Sequence, residues 1–161
     1  MLEPTSTHAW TIFCDDIRQE TTGKMLFIGI YGSTALVEKF PHRQRLFVAS
    51  TLVTPPTPES RQASFKLYLN EAVALESNFV IPPGSSVEQL NDPIDPLPDG
   101  EKPQRIARLA FITELADLNV EKASSLRARW TLAGSSYRAG VLQFRLQPMP
   151  SHPSSSSPER P

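Results

Sequence analysis

Along the chain, short stretches of apolar and β-branched residues alternate with clusters of Pro, Gly, Ser, Thr and Asp, at a spacing that suits strands rather than helices. Trp10 to Ile17 mixes β-branched, aromatic and cysteine residues, Lys24 to Val37 is richer still, and Thr21-Thr22-Gly23 lies between them. A short glycine-bearing connection between two such runs predicts a hairpin. Phe40-Pro41-His42 interrupts the pattern, and Leu46 to Val53 resumes it as a third strand. Thr54-Pro55-Pro56-Thr57-Pro58 must end that strand, because proline has no N–H to give to a ladder. Ser64 to Asn70 alternates with Phe65, Leu67 and Leu69 on one side and Lys66 and Tyr68 on the other, which predicts a half-buried strand.

Glu71 to Val80 fits a helical stripe through Ala72, Val73, Leu75 and Phe79 about as well as a short strand; a strand or turn is expected. Ile81 to Gln104 carries Pro82-Pro83-Gly84, Pro93, Pro96, Pro98-Asp99-Gly100 and Pro103. That density predicts a long loop, and a loop of that length is a place to look for a binding site. Arg105 to Val120 then offers Ile106, Leu109, Phe111, Ile112, Leu115 and Leu118. Ser125 to Leu132 and Gly140 to Leu146 alternate about a turn at Ala133-Gly134-Ser135-Ser136. Leu126, Ala128, Trp130 and Leu132 face one way and Arg127 and Arg129 the other, while Leu142, Phe144 and Leu146 oppose Gln143 and Arg145. This is a C-terminal hairpin with one wet face. Together the runs predict an all-β domain, an antiparallel β-sandwich of immunoglobulin-like or related type with about seven or eight strands. It spans residues 1–147 as a single domain, and residues 148–161 form a disordered Pro/Ser-rich tail.

Composition changes this picture little. Of 161 residues 16 are proline and 7 glycine, so part of the chain must be loop rather than core. Cys14 is the single cysteine and has no partner for an internal disulfide. No charged start with an apolar run and a cleavage site precedes it, and no apolar stretch approaches the roughly 20 residues of a membrane span. A soluble, cytoplasmic protein is expected.

Charge adds an asymmetry. Residues 1–101 carry 13 acidic and 7 basic residues, a net −6, and residues 102–161 carry 4 acidic and 9 basic, a net +5. One reading is a basic face that meets an acidic partner or nucleic acid; the other is oppositely charged strands lying side by side in one sheet. Basic residues with an interleaved aromatic occur only at Arg127, Arg129 and Trp130, which argues against nucleic acid.

The densest polar constellation is Asp15, Asp16, Arg18, Glu20 and Lys24, within ten residues of the opening hairpin. Strict alternation puts Asp15 on the face of Phe13 and Ile17, toward the core, where a carboxylate needs a partner. Asp16, Arg18 and Glu20 fall on the other face, where they can form a salt-bridge lattice with Lys24 that holds hairpin register. The same cluster can instead serve as a partner-binding edge. A cation site would draw on Asp15, Asp16 and Glu20, or on Asp15 and Asp16 with Asp92 and Asp95 of the long loop, where Asp99 and Glu101 also lie; the interspersed arginine and the prolines count against it. Cys14, beside acids that raise a thiol pKa, reads as a small buried hydrophobe. His8, His42 and His152 have no metal-ligand spacing, and no catalytic or cofactor motif is present.

The run Phe13-Cys14-Asp15-Asp16-Ile17-Arg18-x-Glu20, then Gly23-Lys24, then Ile28-Gly29-x-Tyr31, resembles the opening signature of a family of uncharacterised bacterial and phage-associated proteins whose domain is of unknown function. It covers residues 12 to 31. The resemblance implies a bacterial origin and a small β-rich domain, and no activity. The expectation is an interaction or structural module rather than an enzyme, docking a protein partner or a second copy of itself through the hairpin or the long loop. The alternatives are a calcium-dependent ligand-binding sandwich using Asp15, Asp16 and loop acids, and a hydrolase using the acid pair.

Overall fold

The computed structural model describes residues 6–84 and 106–148. Every regular element among them is a strand: β1 (His8–Gln19), β2 (Met25–Ile30), β3 (Thr34–Val37), β4 (His42–Thr54), β5 (Arg61–Leu69), β6 (Ala72–Ile81), β7 (Ala107–Val120), β8 (Ser124–Leu132) and β9 (Ser135–Leu146). They form two sheets, here A with order β2-β1-β4-β7 and B with order β3-β9-β8-β5-β6. All pairings are antiparallel except β3 with β9. The described residues contain no helix long and apolar enough to cross a membrane. The long loop beyond Gly84 and the tail beyond Pro148 lie outside the described residues.

Two expectations are refined. The run Lys24 to Val37 is not one strand: it breaks at Tyr31-Gly32-Ser33, and its halves enter different sheets. β2 pairs with β1, whereas β3 runs parallel to β9 from Thr34↔Gln143 to Val37↔Leu146. Glu71 to Val80, open between helix and strand, is strand β6, because Asn70 takes a left-handed φ of 54° and turns the chain straight back along β5. The Asn70 side chain secures that turn, bonding the Ser124 hydroxyl and accepting from the Ser125 amide.

Alternation packs the two sheets face to face. Phe13, Leu46, Val48 and Leu52 point inward from A, and Phe65, Leu67, Leu126, Trp130, Leu142 and Phe144 from B. At the centre Phe65, Phe79, Phe111 and Trp130 form tilted ring contacts with centroids 5.1–5.5 Å apart. Ser50 sets a polar group within this apolar layer. Ser50 Oγ of β4 accepts a 2.8 Å hydrogen bond from Trp130 Nε1 of β8, and also contacts Thr11 Oγ1 at 2.8 Å and the Trp10 carbonyl at 3.1 Å. Both the indole N–H and the hydroxyl are thereby satisfied at full burial, and the sheets are fixed in register with each other.

Candidate functional site

The opening hairpin is held differently from the rest of sheet A. β1 pairs with β4 only as far as Cys14↔Phe47, and from there to Gln19 it pairs with β2 alone. The chain from Asp15 onward is therefore a two-stranded ribbon that has run past the ladder with β4. This corrects the expected burial of Asp15: the residue is exposed. Its parity is as expected, but the packed core ends at Phe13, so an inward-pointing residue two positions on meets the end of the sandwich.

There Asp15 has a specific partner. Tyr31 Oη donates a 2.5 Å hydrogen bond to Asp15 Oδ1, and the Tyr31 amide donates to the Phe13 carbonyl at 2.8 Å. Partial burial and the adjacent carboxylate push the Tyr31 phenol up to about 12. Gly29 makes room for this contact. A Cβ at Gly29 would lie 2.0 Å from Asp15 Oδ2 and 2.7 Å from Cγ, and its φ of +65° is one that side chains disfavour. Asp15, Gly29 and Tyr31 thus form one unit, which accounts for the Ile-Gly-x-Tyr half of the signature.

The remaining charges do not form the expected four-membered lattice. Arg18 Nε donates to Asp16 Oδ2 at 2.8 Å, which holds the Asp16 carboxyl below its ordinary range. The second cation on Asp16 is Arg45 of β4, 3.7 Å from Oδ1, and Arg45 also reaches Glu114 of β7 at 3.6 Å. Its guanidinium lies 5.0 Å from the centroid of the Phe47 ring. Glu20 accepts a hydrogen bond from Thr22, and Lys24 accepts one from the Glu20 amide through its carbonyl; among the described residues neither side chain is in an ion pair. The real network crosses three strands, Asp16–Arg45–Glu114, and two of its three members lie far from the hairpin in sequence. Asp92 and Asp95 lie outside the described residues, and Asp15 and Asp16 turn to separate partners. Among the described residues no group of three or more His, Cys, Asp or Glu is placed to hold a metal ion. Burial, chiefly, and the Asp15 charge push the Cys14 thiol up, away from nucleophilic chemistry.

What sequence reasoning missed is the surface into which this network is set. Register places Trp10, Ile12 and Cys14 of β1 beside Thr51, Ala49 and Phe47 of β4 on the outward side of sheet A, and the ion pair of Asp16 with Arg45 continues that side past the end of the ladder. Ala110, Ile112 and Glu114 of β7 continue the same rows. On the other flank Leu26, Ile28 and Ile30 of β2 lie opposite Arg18, Asp16 and Cys14. Trp10 is 40% exposed, Leu26 44%, Ile28 43%, Ile30 60% and Ile112 48%. Four strands thus present an outer face that is apolar in the middle and charged at one end. An antiparallel sandwich ordinarily turns polar residues outward. Among the described residues β2 is also one edge of the sheet, hydrogen-bonded on one side only.

No protein-family model matches this chain, and no curated protein matches it.

Proposed function

We propose that this protein is a non-enzymatic interaction module whose working surface is the outer face of sheet A, and that the face packs against the same face of a second copy. The observation that supports this reading is the apolar outer surface running from Ile30 through Ile12 and Ala49 to Ile112, on a sheet whose opposite side is already buried in the core. A second copy suits it because a twofold interface must be complementary to itself. The charged end meets that condition: Asp16 and Glu114 stand beside Arg18 and Arg45, so two copies related by a twofold axis can place acid against base. The Asp15–Tyr31 contact, made over Gly29, fixes how the ribbon carrying Ile28 and Ile30 leaves the sandwich. It serves position rather than chemistry.

Light scattering on the purified chain is the test. Wild type is expected at twice the mass of one chain, and Ile112→Asp, a change on an already half-exposed position, at the mass of one chain with an unaltered circular dichroism spectrum. Ile112 stands on β7, at the far side of the sheet from the free edge of β2. A variant that stays dimeric would overturn the face and point to the edge instead.

A further inference from the structure

The outer face of sheet B carries a separate feature. Its outward positions along the central strands include Ser64, Lys66 and Tyr68 on β5, Arg127 and Arg129 on β8 and Arg138 on β9, with the apolar Val141 of β9 opposite Arg127. A register shift between Ala128 and Arg129 marks a bulge in the β8–β9 pair. Immediately after it Arg129 stands directly opposite Arg138, and Lys66 stands opposite Arg129 from the other side. Like charges facing each other across a ladder destabilise it. The acids nearby are already engaged. Glu76 pairs with Lys66 at 3.1 Å and Glu71 with Arg127 at 3.1 Å, and Arg129 and Arg138 have no acidic partner among the described residues.

Between these side chains the bulge leaves a pocket of about 390 Å³, lined by Arg127, Arg129, Arg138 and Val141 over a floor of Ala128 and Gly140. Gly140 turns its missing side chain inward, so the floor is backed directly by Thr11 and Phe13 of sheet A. Arg127 adds a second anomaly. One of its terminal nitrogens serves the Asn70 carbonyl and Glu71, but its Nε is buried without a hydrogen-bond partner. A buried donor left unpaired costs free energy, and two opposed guanidiniums without a counter-charge repel each other across the ladder.

We infer that this pocket is a binding site for a phosphoryl group, carried by a phosphorylated small molecule and held between Arg129 and Arg138. The charge match selects phosphate over carboxylate. Two uncompensated guanidiniums call for a dianion, and three or more oxygens can take paired N–H donors from both sides at once. Val141 gives the organic portion an apolar contact. The site lies on the sheet opposite the proposed interface, so it remains open in a dimer and does not depend on that reading.

Inorganic pyrophosphate is the probe, with inorganic phosphate, acetate and sodium chloride at matched ionic strength beside it, read by calorimetric titration and thermal unfolding. Pyrophosphate and phosphate are expected to raise the wild-type unfolding midpoint, whereas acetate and chloride leave it in place. Arg129→Gln and Arg138→Gln should each weaken pyrophosphate binding about tenfold, the loss of one charge-assisted pair. Without anion, the same variants should unfold at the wild-type midpoint or higher, because each relieves like-charge repulsion. Equal stabilisation by chloride or acetate would overturn the proposal, as would a double variant that binds pyrophosphate as wild type does. Variants that unfold well below wild type without anion would also overturn it, by showing that the pair supports the sheet.

Discussion

The two outer faces of this sandwich share one core and differ along their central strands, although the rim of sheet B also exposes Leu36, Val73 and Val80. Sheet B follows the usual arrangement for an antiparallel sheet: Phe65, Leu67 and Trp130 go inward, while Lys66, Arg127 and Arg129 go to water. Sheet A breaks it, because β4 reads Leu46-Phe47-Val48-Ala49 and is apolar at both parities. A strand with two apolar sides has a use for both. The difference teaches that the fold is satisfied by one side of each sheet, and that the second apolar side of A and the unneutralised arginines of B are surpluses over what folding requires. Surpluses of that kind are where binding resides.

The comparison breaks most visibly if the apolar centre of sheet A is charged. Ile112→Asp should weaken self-association by roughly 100-fold or more, as expected for a carboxylate forced into the middle of an interface, while pyrophosphate binding on sheet B stays unchanged. Loss of both together would mean that the faces are not independent.

A change in the shared interior should act on neither face in particular. Ser50→Ala leaves Trp130 Nε1 buried without its acceptor and should lower unfolding stability by about 2 kcal/mol in denaturant titrations, with dimer affinity little altered. A smaller effect is expected at the ribbon of sheet A. Gly29→Ala places a side chain at a left-handed φ and against the Asp15 carboxylate, and should cost about 1.5 kcal/mol, weakening association through the tilt of the ribbon.

The smallest effect belongs to the Asp15–Tyr31 contact. Tyr31→Phe should cost about 1 kcal/mol at neutral pH. The folded phenol titrates at about 12, above its ordinary 10.0, so its contribution is complete below pH 10 and is lost as pH rises from there toward 12. Thermal midpoints of wild type and Tyr31→Phe should therefore converge across that window. A gap that persists unchanged at the alkaline end would show that the hydroxyl contributes nothing specific.

Much of the architecture was legible because alternation is a direct readout of a one-sided strand. Alternation in Ser64 to Asn70 and in Ser125 to Leu132 gives the correct faces for β5 and β8, since each buries one side only. Where the chain departs from strict alternation, the sequence alone does not assign faces, for identifiable reasons. Leu115 and Leu118 are three apart and both point toward the core because the β4–β7 register shifts between Gln44 and Leu46. Asp15 was placed in the core because parity says which side a residue takes and not whether anything is packed there. Its partner Tyr31 was within the quoted signature, and the glycine two residues before it was the available clue. Arg45 and Glu114 could not have been joined to Asp16 without knowing that β1, β4 and β7 are neighbours. The apolar outer face of A was visible in the two-sided composition of Leu46 to Val53, but only register assembles it from four strands.

Side-chain footprinting by hydroxyl radicals, at protein concentrations below and above the self-association range, compares the two faces most directly. Trp10, Ile28, Ile30 and Ile112 should become protected as concentration rises, while Tyr68, Val73 and Val141 on sheet B keep their reactivity. Protection confined to sheet B, or the same reactivity on both faces at every concentration, would contradict the assignment of sheet A as the interface.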